Sequence, residues 1–142
     1  MANYSSDAEM FKVDRGVEQW LGSRADFSEV RDVVTDRINA AVKKAGVWPL
    51  LESIGTTTTG GMVDKDALLN PYDLEDLENI WVREILYFEN LEAAEDIDSI
   101  FLRARELRRE RIRRMLTLEL LIDSDGDGNA EETVRVGKLL RA

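Results

Sequence analysis

From Ile122 to Val134 the chain reads IDSDGDGNAEETV. Three aspartates at alternate positions followed by glycine gather hard oxygen donors, as a loop holding a calcium ion does. A second stretch, from Arg103 to Arg114, carries Arg103, Arg105, Arg108, Arg109, Arg111, Arg113 and Arg114, offset only by Glu106 and Glu110. Guanidinium forks at that density suit pairing with carboxylate or phosphate. Little else offers chemistry. The 142 residues include no cysteine and no histidine, which removes disulfides, thiol nucleophiles, imidazole bases and zinc sites of the usual ligand types. The glycine-flanked GTTTTGG at 55–61 lacks the Lys-Ser/Thr ending of a P-loop. No arrangement activates the remaining Ser, Lys and carboxylates, so the chain is expected not to be an enzyme.

Counting positions tests the calcium reading. An EF-hand loop needs ligands at positions 1, 3 and 5, glycine at 6 and a bidentate glutamate at 12. Asp123, Asp125, Asp127 and Gly128 satisfy the first four, but position 12 is Val134. The segment is therefore not an EF-hand. A looser calcium loop completed by Glu131 or Glu132 stays open, beside a plain turn in which Asp side chains cap backbone N–H groups. The flanks alternate apolar and polar residues, which predicts a β-hairpin. Pairing Ile122 with Val134, Leu120 with Val136, Leu118 with Lys138 and Leu116 with Leu140 keeps the apolar sets on one face. That register predicts an odd loop of three or five residues with Gly128 near its apex.

The arginine stretch must sit on a helix, about Asp98 to Met115, with Ile97, Ile100, Phe101, Ala104, Ile112 and Met115 as its apolar face. At about 100° per residue, Arg108 and Arg111 fall within that face, while Arg103, Arg109, Arg113 and Arg114 point away. Three readings follow: a solvated helix pairing with Glu106, Glu110 and an acidic neighbour; an interface formed by Arg105, Arg108, Arg109 and Arg111; or contact with nucleic acid. The last is disfavoured by a net charge of −10, which repels phosphates.

Other elements complete a mainly α-helical chain. A helix capped near Asp26 carries Val30, Val33, Val34, Ile38, Ala41, Val42 and Ala45 and ends at Gly46. A short helix starts at Pro49. Residues 55–70 read as a long loop whose four threonines carry no core side chains. Asn70-Pro71 caps and opens a helix striped by Leu74, Leu77, Trp81, Ile85, Phe88 and Leu91, with a break near Glu95-Asp96. The expected divisions are a flexible N-terminal arm (1–25) ordered by a partner, a small helical bundle with a long last helix (26–115), and a C-terminal β-hairpin (116–142). Hydrophobic residues at 44% and charged residues at 34% fit a folded domain. No run of 18 apolar residues is present, so no membrane span is expected.

In layout, residues 26–142 resemble the head-to-tail connector (adaptor, or head-completion) proteins of long-tailed phages and archaeal tailed viruses. The resemblance is carried by a small helical bundle, a long arginine-rich helix and then LLIDSDGDGNAEETVRVGKLLR. It implies a non-enzymatic structural protein of the virion's head–tail interface, assembled in the host cytoplasm. Its partners would be a portal protein, a tail or stopper protein, and itself, in a ring of about twelve copies. Genome DNA would pass through the ring without specific binding. No individual functional residue is carried over from the family. Outside the resemblance stand a small calcium-binding module and a helical regulator that binds an acidic partner through Arg103 to Arg114.

Overall fold

The computed structural model describes residues 2–91, 96–123 and 125–137. The chain is mainly helical and ends in a two-stranded antiparallel hairpin after a long helix. In order come α1 (Asp7–Val13), a 3₁₀ segment (Arg15–Leu21), α2 (Ser28–Lys44), α3 (Trp48–Ser53), a 3₁₀ turn (Lys65–Ala67), α4 (Pro71–Glu89), α5 (Ile97–Leu116), β1 (Glu119–Ile122) and β2 (Glu132–Arg135). Helix α4 is the centre. It packs against α2 on one flank and against α5 on another.

The N-terminal segment corrects the expectation of a flexible arm. Tyr4, Met10 and Val17 are fully buried. Polar groups hold the segment as well. The Glu78 carboxylate on α4 accepts hydrogen bonds from the Tyr4 and Ser5 backbone N–H groups (3.2 and 2.9 Å) and from the Ser5 and Thr35 hydroxyls (2.7 Å each). Arg31 on α2 pairs with Asp7 at 2.8 Å and donates to Asn79 at 2.7 Å. Asp14 accepts from Arg83 Nε and from the Tyr87 hydroxyl. A segment that reads as polar is thus packed through its polar residues.

Helix α2 starts where Asp26 accepts from the Ser28 N–H (3.0 Å) and stops at Gly46, whose φ of 80° suits glycine. Its buried face includes Arg31, Thr35 and Asn39 beside Val30, Val34, Ile38 and Val42, while Val33 faces outward. Residues 55–70 also differ from expectation. Thr56, Met62, Val63 and Leu68 are buried, and Leu68 bridges to Ile122 beside β1.

On α4 the expected stripe is only part of what is covered. Leu74 and Leu77 are fully buried, but so are Val82 and Leu86, whereas Trp81, Ile85 and Phe88 are half-buried. A helix with neighbours on several sides shows no single apolar stripe. Asn70 precedes α4 without capping it through its side chain. Instead its amide donates to the Glu119 carbonyl (2.8 Å) and accepts from the Leu121 N–H (3.0 Å), tying the helix start to β1. The residues 92–95 side of the expected break before α5 lies outside the described residues; Asp96 caps α5 by accepting from the Ser99 N–H.

The hairpin register is Leu120 opposite Val134 and Ile122 opposite Glu132, two residues from the expected pairing. The apolar face survives because a two-residue shift preserves the side of every side chain. The loop between the strands is odd, as expected, but spans 123–131, and Asp127 lies at its centre. The pairings expected for Lys138 and Leu140 fall outside the described residues.

Candidate functional site

Helix α5 turns a narrow face to the core: Ala104 and Leu107 are its buried residues. Leu107, which the apolar periodicity passed over, takes the place expected of Ile112, now exposed. This phase decides the arginines. Arg111 donates to Glu84 from Nε (2.8 Å) and Nη2 (3.1 Å), and Arg108 donates from Nε (3.1 Å). Their guanidiniums also lie over rings of α4, Arg108 at 4.4 Å from Phe88 and Arg111 at 4.8 Å from Trp81. Burial of Glu84 disfavours its charge, but the hydrogen bonds from Arg111 and Arg108 outweigh it and hold the carboxyl below its usual range. Two residues expected at an interface therefore pair within the molecule, Arg108 while its side chain stays exposed.

Arg103 pairs with Glu106, Arg113 with Glu110, and Arg114 with Glu110 and Asp76. Arg105 lies over the Phe101 ring one turn earlier. Among the described residues, Arg105 and Arg109 are the arginines of this helix with no carboxylate partner. Both are exposed, and around them Phe101, Leu102, Ile112 and Leu116 are exposed as well, from 37% to 57%. The sequence pointed to the helix and to these two residues, but not to the division of labour among its arginines.

At the hairpin tip, one carboxylate oxygen from each of Asp123, Asp125, Asp127 and Glu131 lies within 4.8 Å of the others. Asp123 accepts from the N–H groups of Gly126, Asp127 and Gly128 at 2.9–3.2 Å. Asp125 and Asp127 each accept from the N–H two residues on. Gly126 and Gly128 supply the positive φ (74° and 85°) that this wrapping requires. The wrapping widens the loop to nine residues and displaces the register. Glu131 crowds Asp125, whose carboxyl is raised above its usual range by a hydrogen bond between the two. The donor set would suit a hard cation such as calcium. Val134, where an EF-hand needs glutamate, is buried in β2.

Two large hollows open on the surface. One of about 500 Å³ lies between α4 and α5, lined by Ile80, Arg83, Arg103, Leu107 and Arg114 among others. The other, about 550 Å³, lies between the N-terminal segment and the threonine loop. The buried Glu78–Arg31 network was missed in the sequence. Its available signal was Arg31, Thr35 and Asn39 at i, i+4 and i+8, one turn apart along an apolar face. No helix among the described residues is long and apolar enough to cross a membrane. No protein-family model, curated protein or solved structure matches the chain.

Proposed function

We propose that the protein is a non-enzymatic assembly subunit, a ring-forming adaptor that joins the portal of a viral capsid to the tail and surrounds the DNA exit channel. The observation that carries the assembly reading is the outer face of α5, where Arg105 and Arg109, without a carboxylate partner among the described residues, stand among exposed apolar side chains. An exposed apolar face of this kind marks contact with another surface. The remainder of a chain of net charge −10 can border DNA without gripping it. The portal and tail as partners rest on the resemblance in layout to connector proteins.

The test is to mix the protein with a portal protein from the same genome and image the product by electron microscopy. A ring stacked on the portal is expected, and Arg105→Glu/Arg109→Glu should abolish it while circular dichroism stays helical. Absence of any portal complex with the unaltered chain rejects the adaptor. A stable monomer or dimer with a defined acidic partner would instead favour a regulator. A second reading, a calcium-binding module, rests on the four clustered carboxylates. It requires millimolar calcium to raise the melting temperature, and an unchanged melting temperature removes it.

A further inference from the structure

We infer that the exposed face of α5 is covered by the outer face of α2 from a second copy of this chain, in a heterologous helix–helix contact. This deepens the assembly reading by naming the surface that meets the arginines. On α5, Phe101, Leu102, Arg105, Arg109, Ile112 and Leu116 fall within an arc of about 100°. Its occupant must supply carboxylates about a turn apart and apolar side chains small enough to let two helices approach. The outer face of α2 does so. Glu29, Val33, Asp36 and Ala40 recur at i, i+4, i+7 and i+11, and all four are exposed. Half-buried Asp32 lies one turn before Asp36, a rise of about 6 Å that matches Arg105 to Arg109.

Charge supports the choice. Among the described residues, Glu29 and Asp36 take part in no ion pair, as Arg105 and Arg109 take part in none. Among the described residues, these acids and arginines are thus left without ion-pair partners and are opposite in sign, although exposed Arg37 and Lys44 share the outer side of α2 with Glu29 and Asp36. Both faces point away from α4, so they cannot meet within one copy. A symmetric α5–α5 contact would bring four arginines together, which like-charge repulsion opposes. The hairpin tip offers carboxylates but no exposed large apolar side chain, so it cannot cover Phe101, Leu102 and Ile112. A patch meeting a different patch on the next copy propagates head to tail and closes into a ring if the rotation allows.

The chain has no cysteine, so single cysteines report contacts without background. Leu102→Cys and Ala40→Cys are made separately and treated with a short bismaleimide, alone and mixed, at the highest soluble concentration. A cross-linked dimer in the mixture but in neither variant alone is expected. Dimer in Leu102→Cys alone overturns the pairing in favour of a symmetric contact, and no dimer in the mixture, with circular dichroism unchanged, overturns it outright. Adding Arg105→Glu/Arg109→Glu to the Leu102→Cys chain should reduce the yield to background. Adding Glu29→Arg/Asp36→Arg to the Ala40→Cys chain should then restore it, and failure to restore it also overturns the pairing. Cross-linking without portal binding leaves the pairing and rejects the adaptor, whereas portal binding without cross-linking does the reverse.

Discussion

Two buried titratable residues give the structure measurable consequences. The Tyr4 hydroxyl donates to Asn39 and accepts from the Val63 N–H. Burial pushes this phenol up to about 12, helped by the nearby charge of Glu78 and opposed by the Val63 N–H. An unfolded tyrosine ionises near 10, so above that pH the unfolded chain loses its proton first and stability falls. The displacement corresponds to about 3 kcal/mol, present below about pH 10 and lost as the pH rises towards 12. Denaturant midpoints measured from about pH 8 upward should show this decline. Tyr4→Phe should be less stable near neutrality and flatter above about pH 10. Glu84 has the opposite sign. Its carboxyl is depressed below the usual 4.5, so its stabilisation is present above that value and fades as the pH falls through the lower folded value. Glu84→Gln should cost on the order of 3 kcal/mol at neutral pH, since it strips the charge that Arg111 and Arg108 face. The deficit should shrink in acid, as read from denaturant unfolding at several pH values.

At the scale of elements, the hairpin is attached rather than free. Asn70 joins the start of α4 to β1, and Leu69 N–H and Asp123 N–H donate across to the Leu121 and Ala67 carbonyls. At the other end, a Cβ on Gly137 would lie 2.1 Å from the Leu116 carbonyl oxygen, so only glycine lets the chain pass the end of α5. Asn70→Ala should leave two half-buried backbone groups, the Glu119 carbonyl and the Leu121 N–H, without this partner and cost about 1–2 kcal/mol. Hydrogen exchange should then quicken in β1 before α4. Helices α2 to α5 and the hairpin, though not α1, were legible because apolar periodicity, Pro71, Gly46 and the change to alternation after α5 are local signals. The phase of α5 was not, because Leu107 sits among arginines and its burial depends on where α4 lies. Nor was the exact register, because Asp123 sets it through three backbone N–H groups at the tip. Arg105 and Arg109 were named from the sequence with Arg108 and Arg111, and it took Glu84, distant in sequence, to separate the pairs.

For the whole molecule, the question is which parts are free to meet a partner. An N-terminal arm would offer itself, and its removal would leave a stable body that no longer assembles. The structure predicts otherwise. Residues 2–14 place Tyr4 and Met10 in the core and satisfy Glu78 with two backbone N–H groups and a hydroxyl. They also give Arg31 and Arg83 their partners Asp7 and Asp14. Deleting them would expose apolar core, leave Arg83 without its counterion Asp14 and leave Arg31 with only Glu78, at 3.7 Å, a loss well above 3 kcal/mol. That is comparable to the whole stability of many domains of this size. The truncated chain should therefore lose its cooperative thermal transition and show weakened near-ultraviolet circular dichroism, not a folded body with a missing contact. A truncation that melts as sharply as the full chain would return the N-terminus to the role of an arm. Loss of the transition would put any partner contact on the folded body, where the proposed faces of α5 and α2 lie, and not on a detachable arm.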